Sequence, residues 1–177
     1  MNAARSAGAA RPTQQRKVRE RIVPGWLART ALILCVLGLL VSAYLTIEAF
    51  TAGATLACPE GDTVNCARVT ESEWSKLFGI PVAPLGLLFF AGMAWLCRPA
   101  LFTREGKTFD RLRLLGAGVG LAMVFYLVWA ELFKIGAICL WCTAVHLLTL
   151  GLFGVLLLGQ ALIEPAPARV RYKDRPR

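Results

Sequence analysis

Charged side chains are missing from long parts of this chain. Of its 177 residues, 56% are hydrophobic and only 18% are charged. Three apolar stretches contain no Asp, Glu, Lys or Arg, and a fourth contains only Glu48, near its far end, where we expect water to reach it. None has the polar face that helices of a soluble bundle show. This absence excludes a soluble helical domain and predicts a membrane protein of one domain.

The four stretches predict an all-α fold, an integral membrane four-helix bundle. A transmembrane helix needs roughly 20 mostly apolar residues to cross about 30 Å of hydrocarbon. No small-residue cleavage site clearly follows the first stretch, so we interpret it as a span and not as a signal peptide. We expect spans at about 31–50, 80–97, 114–130 and 135–163. The membrane domain would cover 25–163, between basic, disordered cytosolic tails at 1–24 and 164–177.

Basic residues are unevenly distributed between the two sides of the predicted bundle. Seven lie in residues 1–30, five in 98–113 and five beyond 163, which puts 17 of the 20 on the side shared by both termini. The positive-inside rule makes that side cytoplasmic. We expect a multi-pass protein of the cytoplasmic membrane, with the first and third loops outside. The net charge of +9 comes without interleaved aromatic residues, which favours contact with anionic lipid and no nucleic acid.

The first outer loop contains a signal for a short helix. Thr70 and Glu73 have the spacing of a capping box. A helix over 71–78 would place Trp74, Leu77 and Phe78 on one side. We expect this helix to lie at the interface and cover the outer mouth of the bundle.

Four of the six cysteines fall on the same predicted side of the membrane. Cys58 and Cys66 lie in the first outer loop, where an oxidising compartment permits a disulfide. Cys139 and Cys142 open the last apolar stretch. A cysteine at a helix N-terminus has a lowered thiol pKa, and residues three apart share a helix face. The pattern indicates two dithiol pairs that exchange electrons at a lipid boundary.

Other interpretations of the cysteines stay open. The outer pair could form a static disulfide, and the second pair could be small buried residues. Four thiolates would also satisfy tetrahedral zinc. Only one pair has the usual short ligand spacing, however, so we expect no metal site. Cys35 and Cys97 have no visible partner on their own side, and we interpret them as packing residues.

His146 is the only histidine. It follows Cys142 by four residues, which places it one turn deeper on the same helix face. It could donate a hydrogen bond to a bound carbonyl or transfer a proton there, and it could equally bond to a neighbouring helix.

The sequence resembles the vitamin K epoxide reductase family in its bacterial form. The resemblance covers about 27–158. It rests first on Cys58, which seven residues separate from Cys66. The other matching positions are Asn65-Cys66-Ala67-Arg68-Val69, Ser72, Trp74, Phe78-Gly79-Ile80-Pro81-Val82 and Cys139-Leu140-Trp141-Cys142.

The resemblance implies a four-helix bundle around a quinone, with electrons passing inward by thiol exchange. It implies that Cys142 is the thiol next to the quinone and that Cys139 exchanges with the loop. Cys66 would then meet Cys139, and Cys58 would meet an outside protein. The expected quinone-binding residues are Ser72, which helps to arrange the lid, and Trp74, Phe78 and His146.

Two features differ between this sequence and other members. Animal members carry a tyrosine at the position of His146 and an asparagine in the second helix, whereas 80–97 contains no asparagine. Bacterial relatives often carry a fused thioredoxin-like domain. The sequence ends soon after the fourth predicted span, so we expect a separate thioredoxin-like partner outside the membrane.

These features predict a membrane dithiol:quinone oxidoreductase that reoxidises a secreted thioredoxin-like disulfide donor, with menaquinone, ubiquinone or phylloquinone as acceptor. The unrelated disulfide-bond formation membrane protein has its Cys-x-x-Cys first, the opposite order. A different class is a small membrane scaffold or transporter subunit with structural outer cysteines. Its candidate charges, Glu48, Glu131 and Lys134, all lie near the outer ends of spans.

Overall fold

A computed structural model describes residues 24–51, 57–58, 61–102 and 107–162. Apart from Pro24, the two predicted tails lie outside the described residues. The elements, in chain order, are α1 (Gly25–Phe50), α2 (Cys66–Thr70), a 3-10 turn (Glu73–Ser75), β1 (Lys76–Leu77), β2 (Ile80–Pro81), α3 (Val82–Leu96), α4 (Pro99–Phe102), α5 (Lys107–Ala130), a π-helical turn (Glu131–Ile135) and α6 (Leu140–Leu162).

Three helices are long and apolar enough to cross a membrane. They are α1 with 26 residues, α6 with 23, and the continuous helix Thr108–Ile135 with 28, which combines α5 and the π-helical turn. Many of their large apolar side chains are exposed, as expected for surfaces that face lipid. The chain is therefore a membrane protein, and three of the predicted spans are confirmed by length and composition.

The second predicted span is shorter in the structure than the sequence suggested. Ile80 and Pro81 belong to a strand, and α3 has 15 residues. At 1.5 Å per residue, α3 is about 22 Å long, less than the roughly 30 Å of hydrocarbon. A fourth crossing by α3 alone therefore stays a prediction.

The four longer helices pack side by side in a ring. Helix α1 lies against α3 and α6, and α5 lies against α3 and α6. Close packing needs small residues: a Cβ at Gly38 of α1 would overlap the ring of Phe90 on α3, and a Cβ at Gly120 of α5 would overlap Phe89. These glycines therefore set how closely the helices approach.

The end of the ring nearest both termini is tightly closed. Its core consists of buried side chains from five helices: Leu27, Ala28, Ala31, Cys35, Met93, Cys97, Phe102, Ala117, Leu152 and Leu156. We call this the closed end. Arg113 pairs there with Asp110 at 3.0 Å and donates a hydrogen bond of 2.8 Å to the carbonyl of Leu96, the last residue of α3. This buried pair explains why α5 begins seven residues before the predicted start at Leu114.

The prediction of an interfacial helix over 71–78 is wrong, because this segment forms a 3-10 turn followed by a hairpin. The Thr70 hydroxyl donates back to the Cys66 carbonyl at 2.9 Å and caps no new helix. The helical part is instead α2, capped by the Asn65 side chain, which accepts from the Arg68 N–H at 2.9 Å. Residues after the 3-10 turn form an antiparallel hairpin, because Phe78 and Gly79 both have positive φ, as a tight hairpin turn requires.

Candidate active site

The loop between α1 and α3 is joined to the segment before α6 by backbone pairing. Val64 and Ile138 form a parallel bridge. The Asn65 N–H donates to the Ile138 carbonyl at 3.1 Å, and the Ile138 N–H donates to the Thr63 carbonyl at 2.9 Å. Each paired segment is followed at once by a cysteine, Cys66 on one side and Cys139 on the other. The pairing thus places one cysteine of each pair next to the other.

Both cysteine pairs belong to one buried cluster. Cys66 and Cys139 are buried in it together with Val69 and Ala137, and Cys58 and Cys142 pack against it. Cys58 and Cys66 form a disulfide, whereas Cys139 and Cys142 are free thiols. The structure therefore brings the four predicted cysteines together, with the loop pair oxidised and the Cys-x-x-Cys pair reduced.

Cys139 occupies the N-terminal end of α6. Its sulfur accepts a hydrogen bond of 3.2 Å from the Cys142 backbone N–H. The fourth span was predicted from residue 135, but Gly136, with φ of 68°, ends the π-helical turn and α6 starts only at Leu140. A hydrogen bond from the Cys142 thiol lowers the pKa of Cys139, against the opposing effect of burial. The predicted position of the first cysteine at a helix N-terminus is confirmed.

Two aromatic side chains hold the backbone next to Cys58. The N–H of Ala57 donates to the Tyr44 hydroxyl at 2.8 Å, and its carbonyl accepts from the Trp141 indole at 2.9 Å. The rings of Tyr44 and Trp141 are themselves in contact, with centroids 4.9 Å apart. Because Trp141 lies between Cys139 and Cys142, this contact ties the Cys58–Cys66 disulfide to the Cys-x-x-Cys turn.

An apolar cavity of about 550 Å³ opens beside Cys142. Its walls come from α1, α3, α5, α6 and the segment between α2 and α3, with His146 and Glu131 near Cys142. Phe90, fully buried, closes the side towards the closed end. Ligand pockets of about 300–1,000 Å³ lined mostly by apolar side chains accommodate drug-sized molecules, so this cavity can hold a flat apolar ring with part of a tail.

We call residues 71–79 the lid, because Trp74, Ser75 and Leu77 of this segment line the cavity. The lid is attached to α5 through Trp74. The Lys134 ammonium lies 5.2 Å from the Trp74 ring and 5.3 Å from the Trp129 ring. The Tyr126 hydroxyl donates to the Trp74 carbonyl at 3.4 Å. Cation–π contacts of this kind contribute roughly 0.5–2 kcal/mol, depending on desolvation. The lid is thus fixed at one corner by aromatic and cationic contacts.

The predicted quinone-binding residues divide into two groups. Trp74 and His146 line the cavity. Ser72 and Phe78 are not among its lining residues. Ser72 accepts from the Ser75 N–H at 3.2 Å and donates to the Val69 carbonyl at 2.8 Å, which stabilises the lid backbone. Phe78 is 94% exposed at the hairpin turn.

Three expectations about single residues need correction or addition. Glu48 was expected to be reached by water but is 2% exposed. Cys35 and Cys97, which seemed to lack partners, share a thiol–thiol hydrogen bond across α1 and α3. Sequence reasoning also missed Glu131 as a site residue. The available signal was an acidic residue eight positions before Cys139, in a stretch where Lys134 is the one other charged residue.

Metal binding finds no support in the described part of the chain. There, no group of three or more His, Cys, Asp or Glu side chains could hold a metal ion. The Cys58–Cys66 disulfide also occupies two of the thiolates that a four-cysteine zinc site would need. The arrangement suits thiol–disulfide exchange.

A helical membrane protein that keeps a disulfide and a dithiol in one cluster has the parts of a membrane thiol–disulfide oxidoreductase. The sequence profile of the vitamin K epoxide reductase family matches residues 29–157. The chain is also similar to vitamin K epoxide reductase complex subunit 1 of Rattus norvegicus, with 28% identity over 136 residues that cover 70% of this chain and 84% of the rat protein.

The chain belongs to the vitamin K epoxide reductase family. Membership places it among membrane thiol–disulfide oxidoreductases that act with quinones. The resemblance seen in its cysteine spacing is thereby confirmed.

Proposed function

We propose that this protein is a dithiol:quinone oxidoreductase that reoxidises a thioredoxin-like protein outside the cytoplasmic membrane. The observation that carries the proposal is the single cluster of four cysteines with one member, Cys142, on the wall of an apolar cavity. Thiol exchange needs sulfur atoms within reach of one another, and a lipid-soluble acceptor needs an apolar site.

Electrons enter at the loop pair. A thiolate of the reduced partner attacks the sulfur of Cys58, forms a mixed disulfide and releases Cys66 as a thiolate. The second partner thiol resolves that mixed disulfide and leaves oxidised partner and reduced Cys58. Cys58 packs against the cluster from its edge and is partly exposed, which suits a sulfur that meets an outside protein.

The second exchange occurs inside the cluster. The Cys66 thiolate attacks Cys139 of an oxidised Cys139–Cys142 pair and releases Cys142 as a thiolate, after which Cys58 attacks Cys66 and frees Cys139. The described structure, with the loop oxidised and the inner pair reduced, corresponds to the product of this exchange. The lowered pKa of Cys139 makes it a good leaving thiolate in this last step.

The cavity suits a quinone by its shape and its few polar groups. Trp74 and Phe89 supply aromatic walls, and Cys142, His146 and Glu131 supply polar atoms at one side. A bound quinone would accept two electrons and two protons. Cys142 faces that site and gives up its electrons as it closes the disulfide with Cys139.

The membrane topology follows from charge. We propose that α3, extended by the hairpin and by α4, completes a four-helix bundle with the lid at its outer surface. Both termini would lie in the cytoplasm, because 17 of the 20 basic residues flank that side. The described cysteine cluster would then face the outside, where a secreted partner can reach Cys58.

The test compares Cys58→Ala with wild-type protein in proteoliposomes. Cys58→Ala should stop oxidation of a thioredoxin-like dithiol protein, since no mixed disulfide can form there. It should still allow reduction of menadione by dithiothreitol, which can reach the inner pair directly. If the variant oxidises the protein dithiol at the wild-type rate, the relay is wrong and the outer disulfide is only structural.

A further inference from the structure

Glu131 is the acidic side chain on the wall of the cavity. Among the described residues that line it, α1 contributes Ser42, Leu45 and Ala49, and α3 and the lid contribute no ionisable group. The ionisable groups that face the cavity are Glu131, His146, Cys142 and the phenol of Tyr126. Proton transfer within this part of the molecule must therefore use one of very few groups.

Four of the five hydroxyl groups on the wall already donate their protons elsewhere, the fifth being that of Ser42. Thr70, Ser75, Tyr126 and Thr149 each donate to a backbone carbonyl, of Cys66, Thr70, Trp74 and Val145 respectively. A hydroxyl that holds its proton on a carbonyl is a poor donor to a ligand. Among the ionisable side chains on the wall, this leaves Glu131 and His146 to move a proton beside Cys142.

The backbone brings Glu131 to the cysteines in a specific way. Its carboxyl group accepts a hydrogen bond from the Cys139 backbone N–H and interacts electrostatically with the thiols of Cys139 and Cys142. Its own carbonyl accepts from the Gly136 N–H at 2.9 Å, the wider bond of a π-helical turn. The left-handed conformation of Gly136 then returns the chain so that Cys139 comes back to Glu131.

A buried carboxyl group at this position is costly unless it has a function. Glu131 is 5% exposed. Burial of a carboxylate in an apolar setting is unfavourable, and π-helical turns often occur at functional sites. A glutamine would accept the same hydrogen bond without that cost, so the acid must provide something that an amide cannot, namely uptake and release of a proton.

We propose that Glu131 carries protons from the Cys139–Cys142 dithiol to the molecule that is reduced in the cavity, an inference that rests on the function proposed above. Closing the disulfide forms one S–S bond, breaks two S–H bonds and releases two electrons and two protons. A quinone takes up both electrons. Glu131, as carboxylate, takes the thiol protons in succession and passes each to a quinone oxygen, so it ends in its starting charge state.

The first test uses Glu131→Gln in the full-length protein. The amide has nearly the same size and can still accept from Cys139, but it cannot transfer a proton. Reduction of menadione by dithiothreitol should fall about 100-fold, the loss typical of a missing acid–base group. If Glu131→Gln reduces menadione at the wild-type rate, the inference is overturned.

A second measurement, without quinone, separates this role from a structural one. Removing a negative charge next to the two thiols favours their thiolate forms. Alkylation of the reduced inner pair by iodoacetamide at fixed pH should therefore become faster in Glu131→Gln, while menadione reduction becomes slower. A fall in both rates would indicate a displaced site and would overturn the inference.

Two further variants act as controls. Glu48→Gln changes another buried carboxyl, on α1 and outside the cavity wall, and should leave both rates unchanged. Glu131→Asp keeps an acid and should retain at least about a tenth of the wild-type rate. This loss is much smaller than the loss of about 100-fold expected without acid–base catalysis. A rate for Glu131→Asp as low as that of the glutamine variant would overturn the inference, even if the glutamine protein folds poorly.

The test also distinguishes failure of the proposed function. If wild-type protein does not reduce menadione although its loop disulfide exchanges with dithiothreitol, the quinone function itself fails. If wild-type protein reduces menadione and Glu131→Gln matches it, only the role of Glu131 fails.

Discussion

The two ends of the helix ring each contain a pair of hydrogen-bonded thiols, and the pair Cys139 and Cys142 adjoins the cavity. At the closed end, Cys35 and Cys97 are fully buried among Leu27, Met93 and Leu152. At the other end, Cys139 and Cys142 lie between the Cys58–Cys66 disulfide and the cavity of about 550 Å³. In the relay that we propose, two neighbouring thiols are not enough: they also need a disulfide partner on one side and an acceptor site on the other.

The same helices build both ends, and side-chain size separates them. Towards the closed end, Gly38 admits the Phe90 ring and the core fills completely. Beyond Phe90, small residues such as Ala83 and Ala122 line the cavity between the helices. Stability is therefore concentrated at one end, and room for a ligand is provided at the other.

The largest expected effect comes from replacing one cysteine at each end of the ring with alanine. Cys142→Ala should lower menadione reduction by several orders of magnitude, as loss of a nucleophile does in other enzymes. Cys97→Ala should leave turnover per folded molecule unchanged, because Cys97 contacts neither the cavity nor the loop pair. Both rates can be measured with dithiothreitol as reductant. Equal loss in the two variants would show that the ends are not independent.

A smaller effect is expected from matched leucine truncations. Leu152→Ala removes a fully buried side chain from the closed end and should cost about 2–5 kcal/mol of unfolding free energy, with little change in turnover. Leu127→Ala, on the cavity wall and partly exposed, should cost less and raise the KM for menadione. Denaturant titration in detergent and steady-state kinetics measure these two effects. A larger loss of unfolding free energy for Leu127→Ala than for Leu152→Ala would contradict the division of the ring into a stabilising closed end and a ligand-binding end.

The smallest effect concerns pH. Since the hydrogen bond from Cys142 lowers the pKa of Cys139, its thiolate persists as pH falls below the ordinary thiol value of about 8.5. Alkylation of Cys139 in the reduced protein should have its midpoint below that value. In Cys142→Ala the midpoint should move upward, because the largest stabilising contact is lost. Mass spectrometry of the Cys139 peptide against pH measures both midpoints, and an unchanged or lower midpoint in the variant would disprove the assignment.

Much of the architecture could be predicted because lipid imposes a simple rule on sequence. Stretches without charge predicted three of the long helices, and cysteine spacing predicted the family. The second helix was predicted too long because Ile80 and Pro81 are as apolar as a span but pair with Lys76 and Leu77 as a hairpin. Hydropathy alone does not distinguish these two structures.

The site was predicted only in part because some contacts depend on distant segments. The four cysteines could be found by counting, whereas Tyr44 and Glu131 are brought to them by folding. The prediction of a helix in the lid was wrong for a local reason. The capping-box spacing at Thr70 was present, but the Thr70 hydroxyl donates back to the Cys66 carbonyl within α2. The positive φ of Phe78, unusual for a bulky residue, was not visible in composition.

The parallel pairing of Val64 with Ile138 makes the site sensitive to chain length. Side chains alternate between the two faces of a strand, and successive residues advance by about 3.3 Å. One residue inserted between Val64 and Cys66 would shift this sulfur along the pairing and turn it away from Cys139, although every chemical group would remain present. Evolution can therefore vary the composition of this loop more freely than its register.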